Sequence, residues 1–434
     1  MEKLIVKNFG PIKDVEIELS QYTIFIGDTS SGKSTMAKLI AIFRDFNFIA
    51  ESSYKTLAIR LKEYGISFVK NNSFIEYSKN GFVWKVFFEK KYIETDFIFK
   101  YAFKDSLNRN YNSLFTKSIS IEDEFNEGSI NNLLDILNDS FRGKKKLFDN
   151  DDVSDLLQMV KKHEKSRVSS SPLELSSVLL KLYRLIDKSF KFQSSIYFPT
   201  ERNMVSLVSD SLGGLYANNV ALPDSFKKFV SLFEVSRKEV GKDKDFGIEG
   251  FNISYSYKDG NNIVKSLQDY EISLDIASSG LQSVIPLYLV IENITRSNNE
   301  FKNTLIIEEP ELNLFPKKQK AVVEYLVAKT NKTGNSLVVT THSPYLLTVF
   351  DNLLLAKNVS LNTPKSKEEV ESIVSEEYWI DYNNLFIYHI KNDGTVQSIK
   401  NDEFQSIDAN VIDEVSDTIS DDFDNLIDLK YVGD

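Results

Sequence analysis

The stretch GDTSSGKST, residues 27–35, limits what this chain can fold into more than any other. It follows the apolar run Thr23, Ile24, Phe25, Ile26. After it, Met36, Leu39, Ile40 and Phe43 fall on one helical face. Strand, glycine loop, helix is the setting in which successive backbone N–H groups turn into one concavity below a positive helix end. The spacing Gly27-x4-Gly32-Lys33-Ser34 matches the P-loop pattern. In that reading Gly27, Asp28, Ser30, Ser31 and Gly32 wrap phosphates. Lys33 reaches the β- and γ-phosphates, Ser34 ligates Mg²⁺, and Thr35 adds a phosphate contact. The alternative is a Ser/Gly-rich turn that merely ends a strand.

The distal sequence alternates as a parallel sheet requires. A helix is expected over 279–297, a strand over 303–309, a helix from about 316, a strand over 336–342 and a helix over 344–351. Earlier, residues 3–8 and 23–27 read as strands, 50–70 as helix and 82–103 as a β-hairpin or meander. Further strands are expected at 194–202 and around 247–257, and a closing strand pair at 385–399. Residues 105–195 carry polar helical patterns, with a helix start at Ser171, Pro172 and Glu174, and read as a helical insertion. The expected parts are therefore 1–104, the insertion 105–195, 196–400, and a C-terminal acidic amphipathic helix over 401–434.

Of the net charge of −11, residues 401–434 hold −10, with eleven acidic residues and one lysine. The body is close to neutral, so the overall acidity says little about nucleic-acid binding, which depends on local basic patches. Val411, Ile412, Val415, Ile419, Phe423, Leu426 and Ile427 form a helical apolar stripe among those acids. No apolar run is long enough for a membrane span. The first residues read as a strand, not a secretory signal. The chain has no cysteine, which excludes disulfides and thiolate metal sites and fits a reducing cytoplasm.

Three further motifs bear chemistry. In LIIEEPELNLFPKKQ, a buried parallel strand ends in Glu308 and Glu309 at the edge where open α/β sheets place ligands. There Glu308 suits the Mg²⁺ shell and Glu309 suits polarising an attacking water; the alternative is a solvated carboxylate pair. In TTHSPYLL, His342 closes an apolar strand, where a neutral imidazole could sense a γ-phosphate or simply cap the strand. In ASSGLQS, small residues open a helix and leave N-terminal N–H groups for an anion, with Ser279 and Gly280 the natural contacts.

Taken in order, these motifs resemble the ATP-binding-cassette-type heads of the SMC, RecF and OLD group. IEEPELNLFP and TTHSPYLL are similar to the Walker B and switch-histidine motifs of its OLD-like branch. IYFPTERNMVS, residues 196–206, resembles a segment of PtuA-like ATPases of bacterial anti-phage systems. The resemblance implies an α/β ABC-type head with a mixed or parallel core sheet, an antiparallel β subregion and a helical insertion. It implies ATP and Mg²⁺ as ligands, with Glu309 and His342 catalytic. SSGLQS becomes the signature motif, with Ser279, Gly280 and Gln282 facing the ATP of a second subunit in a homodimer or higher homo-oligomer. Asp28, Ser30, Ser31, Glu308 and Phe315 depart from the commonest residues of these heads without removing a ligand.

No TOPRIM nuclease is expected on this chain, because the residues after His342 are spent on a strand pair and the striped segment. The resemblance then implies a defence ATPase that controls an HNH or TOPRIM-type effector in trans. The alternatives are a RecF/SMC-like ATPase that clamps DNA, or a scaffold that binds ATP with little turnover. RGKKKLF (142–148), KKHEK (161–165) and KSFKF (188–192) are basic and could contact nucleic acid, or form solvated helix faces.

Overall fold

The computed structural model describes residues 2–45, 48–49, 53–80, 82–95, 194–208, 222–242, 245–266, 270–296, 302–361 and 364–408. The expected helical insertion lies outside them except for residues 194 and 195, which open a strand. The basic stretches and the stripe at 411–427 also lie outside.

The chain starts with strands β1 (Glu2–Phe9), β2 (Ile12–Leu19) and β3 (Tyr22–Ile26), then helices α1 (Lys33–Phe43) and α2 (Tyr54–Glu63). Strands β4 (Phe74–Lys79), β5 (Phe82–Phe87) and β6 (Tyr92–Thr95) join β1 and β2 in an antiparallel sheet of order β2-β1-β4-β5-β6. The alternating pattern of β4, intermediate then buried, marks a sheet with one packed face. Strand β7 (Ser194–Phe198) and helix α3 (Asp224–Gly241) follow. A second antiparallel sheet holds β8 (Phe246–Ile248), β9 (Ile253–Lys258), β10 (Asn261–Ser266) and β11 (Glu271–Ser273). The alternating part comprises α4 (Ser279–Arg296), β12 (Asn303–Glu308), α5 (Pro316–Thr333), β13 (Ser336–Thr341) and α6 (Pro344–Ser360). The strand pair β14 (Leu385–Ile390) and β15 (Val396–Ser398) comes after it.

The central sheet has the order β15-β14-β3-β13-β12-β7. Five of its strands run parallel, and only β15 is antiparallel to its neighbour. Strands β3 and β13 are buried along their whole length, as a sheet covered on both faces demands. Phe25, Ile306 and Val338 pack on one side with α1 and the first antiparallel sheet. Ile24, Ile307 and Val339 pack on the other with α3 to α6 and the second antiparallel sheet. The expected α/β class, with a parallel core and an antiparallel subregion, is the observed one.

A buried polar tie joins the layers. Arg44, just past α1, donates to Glu2 at 2.6 and 3.1 Å and to Thr304 of β12 at 3.2 Å. The Tyr77 hydroxyl donates to the same carboxylate at 2.7 Å. Burial opposes ionisation of Glu2, but the charges of Arg44 and Lys79 and these bonds overcome it and lower its pKa to about 2.

Helix α3 was not expected, and three expected elements end elsewhere than the sequence suggests. Helix α6 runs on to Ser360, because Leu353 and Leu354 continue its buried face past Asp351 and Asn352. Helix formation ends at Glu63, and residues 66–70 form no helix or strand. Strand β7 stops at Phe198, and residues 200–204 form a 3₁₀ helix.

Candidate nucleotide-binding site

The parallel strands β3, β12 and β13 end together, so the segments leaving them meet at one edge. From β3 comes the glycine loop. Gly27 has φ 151°, and a Cβ there would lie 2.3 Å from the carbonyl oxygen of Ile390 at the end of β14. Ser30 and Gly32 are also left-handed, at φ 66° and 113°. Gly32 caps α1, whose own first turn holds no acidic residue. Ser31 is buried with no hydrogen-bond partner for its hydroxyl, and Thr35 is buried. The carboxylate of Asp28 accepts a 2.6 Å bond from Asn392 in the β14–β15 turn.

Lys33 is only 4% exposed. Its ammonium donates to the carbonyl oxygens of Gly27 at 2.7 Å and Asp28 at 2.6 Å, and lies 3.5 Å from His342 Nδ1. Burial lowers its pKa to about 8, although the carboxylates of Glu309, Asp28, Glu311 and Glu308 pull the other way.

From β12 come the two glutamates. Glu308 is 3% exposed, takes hydrogen bonds from Tyr197 and Ser34, and keeps Oε1 buried without a partner. Burial raises its pKa, against Lys38 and those two bonds. Glu309 has φ 44°, a conformation that costs a non-glycine residue about 1–3 kcal/mol. Its N–H donates to Thr340 at 2.9 Å, and its Oε1 lies 3.4 Å from His342 Nε2. His342, just past β13, thus stands between Lys33 and Glu309. Its own N–H donates to Glu311 Oε1 at 2.9 Å, which also accepts from Thr341 at 2.6 Å. Burial raises the pKa of Glu311, partly offset by these bonds.

Mg²⁺ keeps several waters and takes one or two protein oxygens besides phosphate, so it needs no cage of carboxylates. Among the described residues no cluster of three His, Cys, Asp or Glu could hold a metal. The Ser34 hydroxyl bonded to Glu308, with an orphaned carboxylate oxygen beside it, fits that sparser donor set.

The signature residues stand apart. Ser279 is exposed at the start of α4, and Gln282 donates to the Asp275 carbonyl at 2.7 Å. A Cβ on Gly280 would meet the Asn313 carbonyl oxygen at 2.9 Å, so α4 begins against the loop that follows Glu309. Among the described residues, no hydrogen bond or ion pair joins Ser279, Gly280 or Gln282 to the glycine loop.

Residues 198–347 match the protein family described as AAA ATPase domain. The AAA ATPase match takes in Glu308, Glu309, His342 and the start of α4, and the glycine loop lies upstream of it. The sheet order places β3, which leads into the glycine loop, beside β13. No curated protein matches the chain. Two solved structures are similar at low identity. One is the Smc head domain with an extended coiled coil bound to the C-terminal domain of ScpA, from Pyrococcus furiosus. It is 11% identical over 92% of this chain and 96% of that one, at TM-score 0.36. The other is the SMC head domain from Thermotoga maritima, 10% identical over 80% of this chain and 90% of that one, at TM-score 0.32.

Sequence reasoning missed Tyr197, Arg202, Glu311, Gln319 and Asn392. Arg202 is fully buried and donates to the carbonyl oxygens of Glu308 and Glu309, each at 2.5 Å. Burial lowers its pKa to about 10, with Glu311, Glu309 and Glu308 acting the other way. Gln319 accepts from Ser343 at 2.6 Å and donates to Leu314 at 2.9 Å, tying the two loops together. Tyr197 and Arg202 lie in IYFPTERNMVS, and Glu311 and Gln319 in LIIEEPELNLFPKKQ, but neither motif assigned them a role; Asn392 lies in no motif.

Proposed function

We propose that this chain binds and hydrolyses ATP with Mg²⁺, and that the nucleotide closes two copies of it against each other. The observation that carries the reading is the row Lys33, His342, Glu309, set beside the Ser34–Glu308 pair at one sheet edge. Lys33 supplies charge to the β- and γ-phosphates, and the loop amides add their dipoles. Ser34 and Glu308 hold the metal shell; the metal, when bound, neutralises developing phosphate charge. Glu309 accepts the proton of the attacking water, and His342 couples it to Lys33. The expected test is direct. Lys33→Ala should lose measurable binding of a fluorescent ATP analogue while remaining folded by circular dichroism. Wild-type affinity in that variant would overturn the site.

The exposed Ser279 supports a composite site, because among the described residues no hydrogen bond or ion pair ties it to the chain's own glycine loop. Apolar Ile276 and Phe315 flank it, 73% and 78% exposed, as an interface residue set would be. The narrower role, control of a nuclease effector in trans during anti-phage defence, rests on the resemblance of IEEPELNLFP, TTHSPYLL and IYFPTERNMVS. Co-purification of the chain with the products of its neighbouring genes tests it; recovery of the chain alone, with and without ATP, would count against it.

A further inference from the structure

Arg202 has a geometry that phosphate binding does not explain. It lies on the 3₁₀ turn after β7, at the sheet edge next to β12. Its guanidinium is 0% exposed, and among the described residues it forms no salt bridge. Instead Nη1 donates to the carbonyl oxygens of Pro199 at 3.1 Å and Glu308 at 2.5 Å. Nη2 donates to the carbonyl oxygen of Glu309 at 2.5 Å, and Nε has no partner. Burying a guanidinium without a salt-bridge contact is expensive, and the carboxylates of Glu311, Glu309 and Glu308 offset only part of that cost. Tying one carbonyl would need only a neutral donor. What the guanidinium adds is a rigid planar fork that can reach two consecutive carbonyls at once.

The peptide unit between those two carbonyls is where the chain leaves β12 and turns left-handed. Glu309 is held on the other side by its N–H bond to Thr340. With both ends fixed, its carboxylate comes to 3.4 Å from His342 Nε2. Tyr197, five residues before Arg202, braces the side chain of Glu308 from the same segment.

We propose that Arg202 is a positioning residue for hydrolysis: its fork on the Glu308 and Glu309 carbonyls keeps Glu309 in the left-handed conformation that sets its carboxylate beside His342. Fully buried and bonded to backbone carbonyls, it acts through the conformation of Glu309. The proposal rests on the ATPase reading above.

The test compares full-length wild type, Arg202→Lys, Arg202→Met, Glu309→Gln and the double variant Arg202→Lys/Glu309→Gln. The measurements are single-turnover ATP hydrolysis, ATP affinity and thermal melting. Arg202→Lys keeps the charge without the fork, and Arg202→Met keeps the bulk without donors. Both should slow turnover about tenfold or more, with ATP affinity within about threefold of wild type. In the Glu309→Gln background, Arg202→Lys should cause no further loss, because both changes remove one function. A merely structural role would lower affinity, melting temperature and rate together, and its effect would persist in the double variant. That result overturns the proposal, as does normal turnover by the Arg202 variants or failure of both to fold. Normal turnover by Glu309→Gln would overturn the hydrolysis reading and this proposal with it. An impaired Glu309→Gln beside fully active Arg202 variants would overturn this proposal alone.

Discussion

At the scale of single residues, the site sets charge against burial. Lys33 is held among carbonyl oxygens and carboxylates, but burial dominates and brings its pKa to about 8. Free protein therefore loses this ammonium as pH rises through 8. The unfolded chain keeps its proton to the ordinary lysine range, so this group makes the folded state gain stability with rising pH between about 8 and 10.5. Phosphate favours the charged form, so ATP binding near pH 8.5 should take up a proton. Calorimetry in buffers of different ionisation enthalpy measures that uptake, and affinity should weaken above pH 8. Buffer-independent enthalpy would show that Lys33 stays charged throughout. Glu309 gives a second residue-scale prediction. At φ 44° alanine is strained and glycine is not. Glu309→Gly should therefore be more stable than Glu309→Ala by about 1 kcal/mol, the reverse of the usual order in helices and strands. Denaturant unfolding of the two variants decides it; alanine as the more stable would mean that the left-handed turn is absent in solution.

Elements were legible where period and burial agreed. Strands β12 and β13 are short apolar runs bounded by polar residues, and the P-loop pattern fixed the start of α1. Helix α3 went unread, although Phe226, Phe229, Val230 and Phe233 follow helical spacing and are buried. Its phenylalanines and valines favour strand by composition, and only their spacing speaks for helix. The end of α6 was misplaced because Asp351 and Asn352 resemble a stop, whereas Asp351 is engaged by the N–H of Ile407 at 2.8 Å. The site followed the same rule. Candidate ligands carried by contiguous motifs, Lys33, Ser34, Glu308 and His342, could be named from sequence. Arg202, Glu311 and Asn392 could not, because their roles come from sheet order. Asn392 meets Asp28 only because β14 lies beside β3, although the two residues are separated by most of the chain. Among the described residues, no helix is long and apolar enough to cross a membrane.

For the whole molecule, the proposed shared site turns on two parts of the fold that no hydrogen bond or ion pair joins among the described residues. The glycine loop, the glutamates and His342 share one sheet edge, while α4 begins with an exposed Ser279, next to Gly280 packed against Asn313. A second copy related by a two-fold axis would bring each α4 start to the other's loop, giving two equivalent sites. ATP would then bridge the copies, and its loss would release them. Glu309→Gln slows the release, so with ATP and Mg²⁺ its mass in solution should double from that of the 49.7 kDa chain. Adding Ser279→Arg puts a bulky cation where the second copy must approach. That double variant should still bind one ATP per chain, because Ser279 takes no part in the loop of its own copy, but it should remain monomeric. Sedimentation velocity with parallel nucleotide titration separates the two properties. Glu309→Gln staying monomeric at saturating ATP would overturn the shared site, whereas loss of ATP binding in the Ser279→Arg variant would place Ser279 in the pocket of its own chain.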